Sequence, residues 1–319
     1  MTHTPLIILL AIAFASSILP LPIPAYAAPW SGLPAGEIIF GQTASFTGSW
    51  APAFEFNKGL LAAFHEINTK EGGVNGRLLK LISMDDVYNK TVAAINAQLL
   101  VANPDMFAFV GTVGTSPSAA AMSVAVPLGI PIIGPLSGAE TFRTPFQELV
   151  INLRASYVDE SLAWVRLMVR EKQYKRISLV YLDNPCCTPV RDALVATMKN
   201  MKLDLASIHP HSIADLAAGL DPVQFAADIY KNRPQGIYIM SVATFQHPLM
   251  KAMHDIATYP ITWVTGSWAG DSDKVVFRNN PEMDPTLWHT TQIAPHPYID
   301  TPLTIAYRAA VTAHSGAGT

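Results

Sequence analysis

Short apolar runs rich in Val and Ile alternate along the chain with longer segments whose apolar residues recur every three or four positions. Period-two or continuous runs predict strands, and the longer period predicts helices. From Glu37 the pattern predicts a strand over Glu37–Thr43 and a helix over Ala53–Thr69, with Phe54, Leu60, Leu61, Phe64 and Ile67 at helical spacing. The cluster Glu71–Gly76 reads as a turn, because Gly and Asn tolerate positive φ. A strand over Leu78–Ser83, a helix over Ala93–Val101, a strand over Phe107–Val110, a helix through Ala119–Val126 and a strand over Ile130–Ile133 complete a first series.

The alternation resumes after Val150–Leu153. Helix Ser161–Glu171, strand Ile177–Tyr181, helix Arg191–Met201, strand Leu205–His209, helix Pro222–Lys231 and strand Gly236–Met240 follow in turn, then helix Pro248–Ala257 and strand Ile261–Thr265. Strands separated by helices of this length predict parallel sheets built from right-handed βαβ units. Two such series predict two α/β, Rossmann-like lobes. Trp288–Ile293 reads as a further strand and Leu303–His314 as a helix, after which the sequence ends without a closing strand.

At 319 residues, half of them hydrophobic and 14% charged, the chain is globular in composition. A net charge of −3 and the lack of a Lys/Arg cluster argue against a nucleic-acid partner. Leu6–Pro20 is an apolar stretch that leads through prolines to Ala25-Tyr26-Ala27-Ala28, so residues 1–28 read as a signal peptide with an A-x-A cleavage site. The n-region carries His3 but no Lys or Arg, which leaves an uncleaved anchor as the alternative. The expected location is secreted or periplasmic. Both cysteines are adjacent, Cys186 and Cys187, and neighbours rarely meet disulfide geometry. Asn89-Lys90-Thr91 fits a glycosylation sequon.

Catalytic motifs fail on inspection. His65-Glu66 lacks the second histidine of HExxH, since Thr69 stands there, and Gly114-Thr115-Ser116-Pro117-Ser118 lacks the last glycine of a nucleophile elbow. Gly111-Thr112-Val113-Gly114 is neither a Walker loop nor a dinucleotide fingerprint. His209, His211 and His296 flank prolines and read as turn or surface residues, so neither a metal nor a cofactor is expected. What recurs is a Gly- and hydroxyl-rich loop after a strand, at Thr43–Ser49, Gly111–Ser118 and Pro135–Ala139. In open parallel sheets such loops gather at the carboxyl ends of the strands, where ligands bind, and helix N–H groups there favour a carboxylate.

The ordered stretches "TGSW", "EFNKGLLAAFHEIN" (Glu55–Asn68), "GGVNGR", "MDDVYN", "FVGTVGTSPSAAA" (Phe109–Ala121), "GIPIIGPLSGAE" and "NLRASYVDE" (Asn152–Glu160) resemble the type I periplasmic binding proteins, and within them the Leu/Ile/Val-binding branch. The likeness spans about Glu37 to Thr265. It implies two lobes joined by a three-segment hinge, with lobe 1 at 36–153 plus about 290–319 and lobe 2 at 154–289. It also implies first-lobe contacts from Trp50, Thr115, Ser116, Ser137 and Gly138, with Trp50 as an apolar wall, and second-lobe candidates Ala243, Thr244, Phe245 and Trp268.

Two departures stand out. Asp183-Asn184-Pro185-Cys186-Cys187-Thr188 has no aromatic where the family pattern has Tyr or Phe, and "TGSWAG" (Thr265–Gly270) lacks the acid that would hold an α-ammonium. A plain α-amino acid ligand is therefore disfavoured, because a buried ammonium needs a partner. The other departure is length, since the resemblance implies a third crossing beyond Leu303–His314. The expectation is a non-enzymatic solute-binding protein for an ABC importer, taking an amino-acid-like or carboxylate-bearing ligand, with a membrane permease as partner and a monomeric state. A sensory receptor ectodomain, dimeric in that case, and an extracellular enzyme are the alternatives.

Overall fold

The computed structural model describes residues 36–47, 53–268, 276–295 and 299–317. The leader over 1–28, Trp50 and His296 lie outside them.

The first sheet contains β1 (Glu37–Ala44), β2 (Leu78–Asp85), β3 (Met106–Val110), β4 (Ile132–Ile133) and β5 (Val150–Ile151). Its order is β2-β1-β3-β4-β5 and every pairing is parallel. Helices α1 (Ala53–Glu71), α2 (Lys90–Val101) and α3 (Thr115–Ala125) make the crossovers. Phe109 and Ile132 are fully buried and pack with Leu100, Met106 and Ala121 in the core of this lobe.

The second sheet contains β6 (Ile177–Leu182), β7 (Ser207–His211), β8 (Gly236–Met240), β9 (Thr262–Thr265) and β10 (Trp288–Thr290), in the order β10-β9-β8-β6-β7, again wholly parallel. Its helices are α4 (Tyr157–Val165), which runs on as a π-helical stretch over Arg166–Glu171, then α5 (Thr188–Asn200), α6 (Ile213–Ala217), α7 (Pro222–Tyr230) and α8 (Ala243–Ile256). The unbroken apolar run of β8 is buried on both faces, as a central parallel strand requires. Tyr238 and Met240 enter one core and Ile237 and Ile239 the other. Burying an Ile of this kind stabilises by about 1.5–3 kcal/mol. The last helix, α9 (Pro302–Ala317), packs back on α1, with the rings of His65 and His314 5.6 Å apart.

The two α/β lobes match the expected fold class, while several element boundaries moved. The strand expected over Leu205–His209 runs two residues later, pairing through His211 with Leu182. Pro210 is tolerated there because β7 is the sheet edge. Helix α8 starts at Ala243 and carries Pro248 inside it, although proline normally marks a first turn. Helix α4 starts at Tyr157, four residues before the expected Ser161, because Ser156 and Asp159 close a capping box.

In both sheets the strand order reverses beside the first strand of the series, between β1 and β3 and between β6 and β8. Those switch points open the crevices that parallel sheets offer to ligands.

Candidate functional site

The first-lobe wall begins where β1 ends. Gln42 and Thr43 are fully buried. The Gln42 amide donates to the Gly111 carbonyl at 2.8 Å, tying β1 near its end to the loop after β3. Thr43 Oγ1 donates to Asp86 Oδ2 at 2.9 Å and receives the Asn96 amide at 3.2 Å. The hydroxyl of Ser45 donates to the Thr47 carbonyl, and that of Thr47 donates to Asp85. The hydroxyls of Thr43, Ser45 and Thr47 are therefore engaged by Asp86, the Thr47 carbonyl and Asp85. Burial alone would raise the Asp85 pKa, but the Thr47 hydroxyl and the amides of Val87, Phe46 and Thr47 outweigh it and hold the carboxyl below its ordinary range.

The loops after β3 and β4 add a glycine in an unusual conformation and a helix start. Gly114 has φ +86° and ψ 154°, a conformation open essentially to glycine alone, and it precedes α3 without any side-chain cap. Pro117 has no N–H and the Ser118 amide donates to the Gly114 carbonyl at 3.1 Å, so the Thr115 and Ser116 amides are the N–H groups that precede the helical ladder, at the end of α3 that carries a partial positive charge. Thr115, half-buried in that turn, shares a 2.9 Å hydrogen bond with the fully buried Ser137 hydroxyl, and Ser116 is exposed beside it. Ser137 Oγ also accepts the Ala139 amide at 3.2 Å. Gly138 lies so close to Tyr157 that a Cβ would sit 2.6 Å from the ring and 2.8 Å from the Tyr157 nitrogen. Tyr157 N donates to the Gly138 carbonyl at 2.7 Å. The structure therefore brings Thr115, Ser116, Ser137 and Gly138 together, and it adds Tyr157.

Tyr157 belongs to the start of α4 and connects the two sets of candidates. The Trp268 ring meets it edge-on, with centroids 4.9 Å apart at 77°, and the Arg154 guanidinium lies over it at 4.8 Å. Burial pushes the Tyr157 hydroxyl up to about 12, against the opposing field of Arg154 and the bonds of Gly138 and Ser137. Trp268 is half-buried and folds over Gly266, where a Cβ would stand 2.0 Å from the ring. Its Nε1 donates to the Ser241 carbonyl at 3.2 Å, and the Ser241 hydroxyl shares a 2.7 Å bond with His211 Nε2. Burial pushes His211 down to about 4, with Asp215 opposing that shift.

Ala243 and Thr244 form the first turn of α8, whose N-cap Val242 offers no side-chain bond. This is a second uncapped helix start beside β8. Phe245 points the other way. It is 5% exposed and packs in the second-lobe core against Phe225 at 5.3 Å and His211 at 4.9 Å, so its ring supports the lobe and lines no opening. The amphipathic period of α8 puts that position on the inner face, a signal hidden while the helix was expected to begin at Pro248.

Arg154 and Glu160 went unnoticed as functional candidates in the sequence. Arg154 Nη2 pairs with Glu160 Oε1 and also donates to Ser267 Oγ at 2.6 Å. Glu160 further accepts the Ser267 amide and hydroxyl, each at 3.0 Å, and the Thr291 hydroxyl. One carboxylate on α4 thereby holds the segment after β5, the segment after β9 and the segment after β10. Both side chains lie in "NLRASYVDE", where the capping-box spacing Ser156-x-x-Asp159 was the readable signal. Among the described residues no group of three His, Cys, Asp or Glu side chains converges as a metal site.

A family model described as periplasmic binding protein matches residues 37–319. Among curated proteins, no sequence matches this chain. Among solved structures, a possible leucine/isoleucine/valine-binding protein from Rhodopirellula baltica SH 1 superposes with a TM-score of 0.74 at 24% identity, over 91% of this chain and 77% of that one. An ABC-transporter solute-binding protein from R. palustris in complex with 4-hydroxybenzoate gives a TM-score of 0.70 at 13% identity, over 87% and 73%. A second from R. palustris, in complex with benzoate, gives 0.69 at 16%, over 87% and 74%. The paired five-stranded parallel sheets and the match over nearly the whole described chain agree. The chain belongs to the periplasmic binding protein family, with the type I fold, and so to proteins that hold a small molecule and present it to a membrane transporter without altering it.

Proposed function

We propose that this protein captures a small aromatic monocarboxylate between its lobes and delivers it to an ABC importer. The observation that carries the reading is the meeting of two chemistries at Tyr157. On one side stand the Thr115 and Ser137 hydroxyls, Gly138 and the uncapped start of α3. On the other stands the Trp268 ring. Hydroxyls and helix N–H groups suit a carboxylate, and aromatic edges suit a flat apolar body.

The charges argue in the same direction. Glu160, which is bonded to the segment bearing Trp268, is occupied by Arg154, Ser267 and Thr291. An α-ammonium would thus find that carboxylate taken. The R. palustris proteins named above hold benzoate and 4-hydroxybenzoate on the same fold, which supports the same ligand class here. In this reading Ser116 and the amides of Ala243 and Thr244 complete the polar rim, and Trp50 adds a first-lobe wall. Residues 1–28 direct export and are removed, and the mature protein works as a monomer whose lobes, 36–153 plus about 290–319 and 154–289, close on the ligand.

Isothermal titration with benzoate, 4-hydroxybenzoate and L-leucine tests this. The aromatic acids should bind one to one and L-leucine should not. Ser137→Ala should weaken benzoate by about 10-fold or more, as expected for a hydrogen bond to a charged group. Binding of L-leucine alone would refute the assignment.

A further inference from the structure

Val87 and Tyr88 both have left-handed backbones, at φ +47° and +60°. Neither a β-branched residue nor a large aromatic adopts that region without strain. The chain nevertheless fixes them there by several bonds. The Val87 amide donates to Asp85 Oδ1 at 3.0 Å and the Tyr88 amide to Asp86 Oδ1 at 2.9 Å. The Asn89 amide donates to the Asp86 carbonyl at 2.7 Å, and Asn89 in turn caps α2. Asp86 is fully buried, and its other oxygen takes the Thr43 hydroxyl. A turn held this firmly in an unfavourable conformation aims its side chain at something.

The target is the mouth of the site. The Tyr88 ring lies over Gly114, where a Cβ would come within 2.4 Å of Cε2, directly at the uncapped start of α3. Burial raises the Tyr88 hydroxyl pKa well above its usual value, and Tyr157, Cys186 and Cys187 of the second lobe add to that shift. Of these, Cys186 and Cys187 stand in the loop after β6. The residues there, half-buried Cys186 and buried Cys187, are small and leave that side of the site without a ring of their own.

We propose that Tyr88 is a specificity-determining residue, the first-lobe aromatic wall against which the ligand's ring lies once the lobes close. The proposal rests on the aromatic-acid reading above. It assigns the strain at 87–88 to ligand selection.

The test measures binding of benzoate and L-leucine by calorimetry to the native protein, Tyr88→Phe and Tyr88→Ala, with each variant's ligand-free melting recorded. The expected result is benzoate affinity within about threefold of native for Tyr88→Phe and at least about tenfold weaker for Tyr88→Ala, with cooperative melting retained in both. Equal benzoate affinity in the native protein and Tyr88→Ala overturns the role of Tyr88 and leaves the aromatic-acid reading standing. Equal losses in both variants overturn the ring-wall role, because the hydroxyl would then be the determinant. Binding of L-leucine in place of benzoate overturns the aromatic-acid reading and with it the aromatic selection assigned to Tyr88.

Discussion

Arg154 and Glu160 form an ion pair in which the two side chains are only 6% and 3% exposed, and three chain segments meet on it. Such a pair is costly to assemble and costlier to break, because removing one charge strands the other in a low-dielectric site. It joins the segment after β5 to the segments after β9 and β10.

Glu160→Gln should therefore destabilise the protein by about 3–5 kcal/mol, a loss on the order of 10 °C in melting temperature. Differential scanning calorimetry reads this directly. A loss under about 1 kcal/mol would mean that water solvates the pair and that it does not hold the three segments together.

Gly138 tolerates no side chain, because its neighbour is the backbone nitrogen of Tyr157 as well as the ring. Gly138→Ala should cost about 1–3 kcal/mol and weaken benzoate at least about tenfold, since Tyr157 and Ser137 must shift together. Chemical denaturation and titration on one preparation separate the two effects.

Phe245 gives the opposite pattern. Its ring lies in the second-lobe core with Phe225 and His211, so Phe245→Leu should lower stability by about 1–2 kcal/mol while leaving benzoate affinity within about twofold. A large loss of affinity at unchanged stability would return Phe245 to the site.

His211 sets a pH dependence. Its folded pKa is pushed down to about 4 by burial, from an ordinary 6.5, so the folded state holds the neutral ring. Stability from this group is complete above about pH 6.5 and is lost as pH falls towards 4, by at most about 1.4 kcal/mol per unit. Buried Asp86 has the opposite sign, because burial raises its pKa and favours the folded state as the pH falls. Urea unfolding at pH 7.5 and 5 should show a smaller drop in His211→Gln than in the native protein. Equal drops would show that His211 does not titrate in this window.

The sheets were legible because β-branched runs such as Ile177–Tyr181 and Gly236–Met240 have no other use than a buried parallel strand. The hydroxyl loops were legible as strand-to-helix turns, while Thr115, Ser137 and Gly138 were named by the family resemblance, and the first two share a hydrogen bond. Phe245, a candidate that the resemblance implied, lies in the second-lobe core because α8 starts at Ala243, five residues before the Pro248 start that the sequence pattern predicts. Tyr157, Arg154 and Glu160 were missed because their roles depend on contacts with Trp268 and Ser267, more than a hundred positions away in the chain. No local period encodes such a meeting. Tyr88 was hidden for a related reason: its left-handed backbone follows from the Asp85 and Asp86 carboxylates and has no propensity signal of its own.

The most direct test is a crystal structure of the protein grown with benzoate. The account predicts the carboxylate about 3 Å from the hydroxyls of Thr115 and Ser137, and the ring bounded by Tyr157, Trp268 and Tyr88. A benzoate bound elsewhere, or one whose carboxylate displaces Glu160 from Arg154, would contradict it.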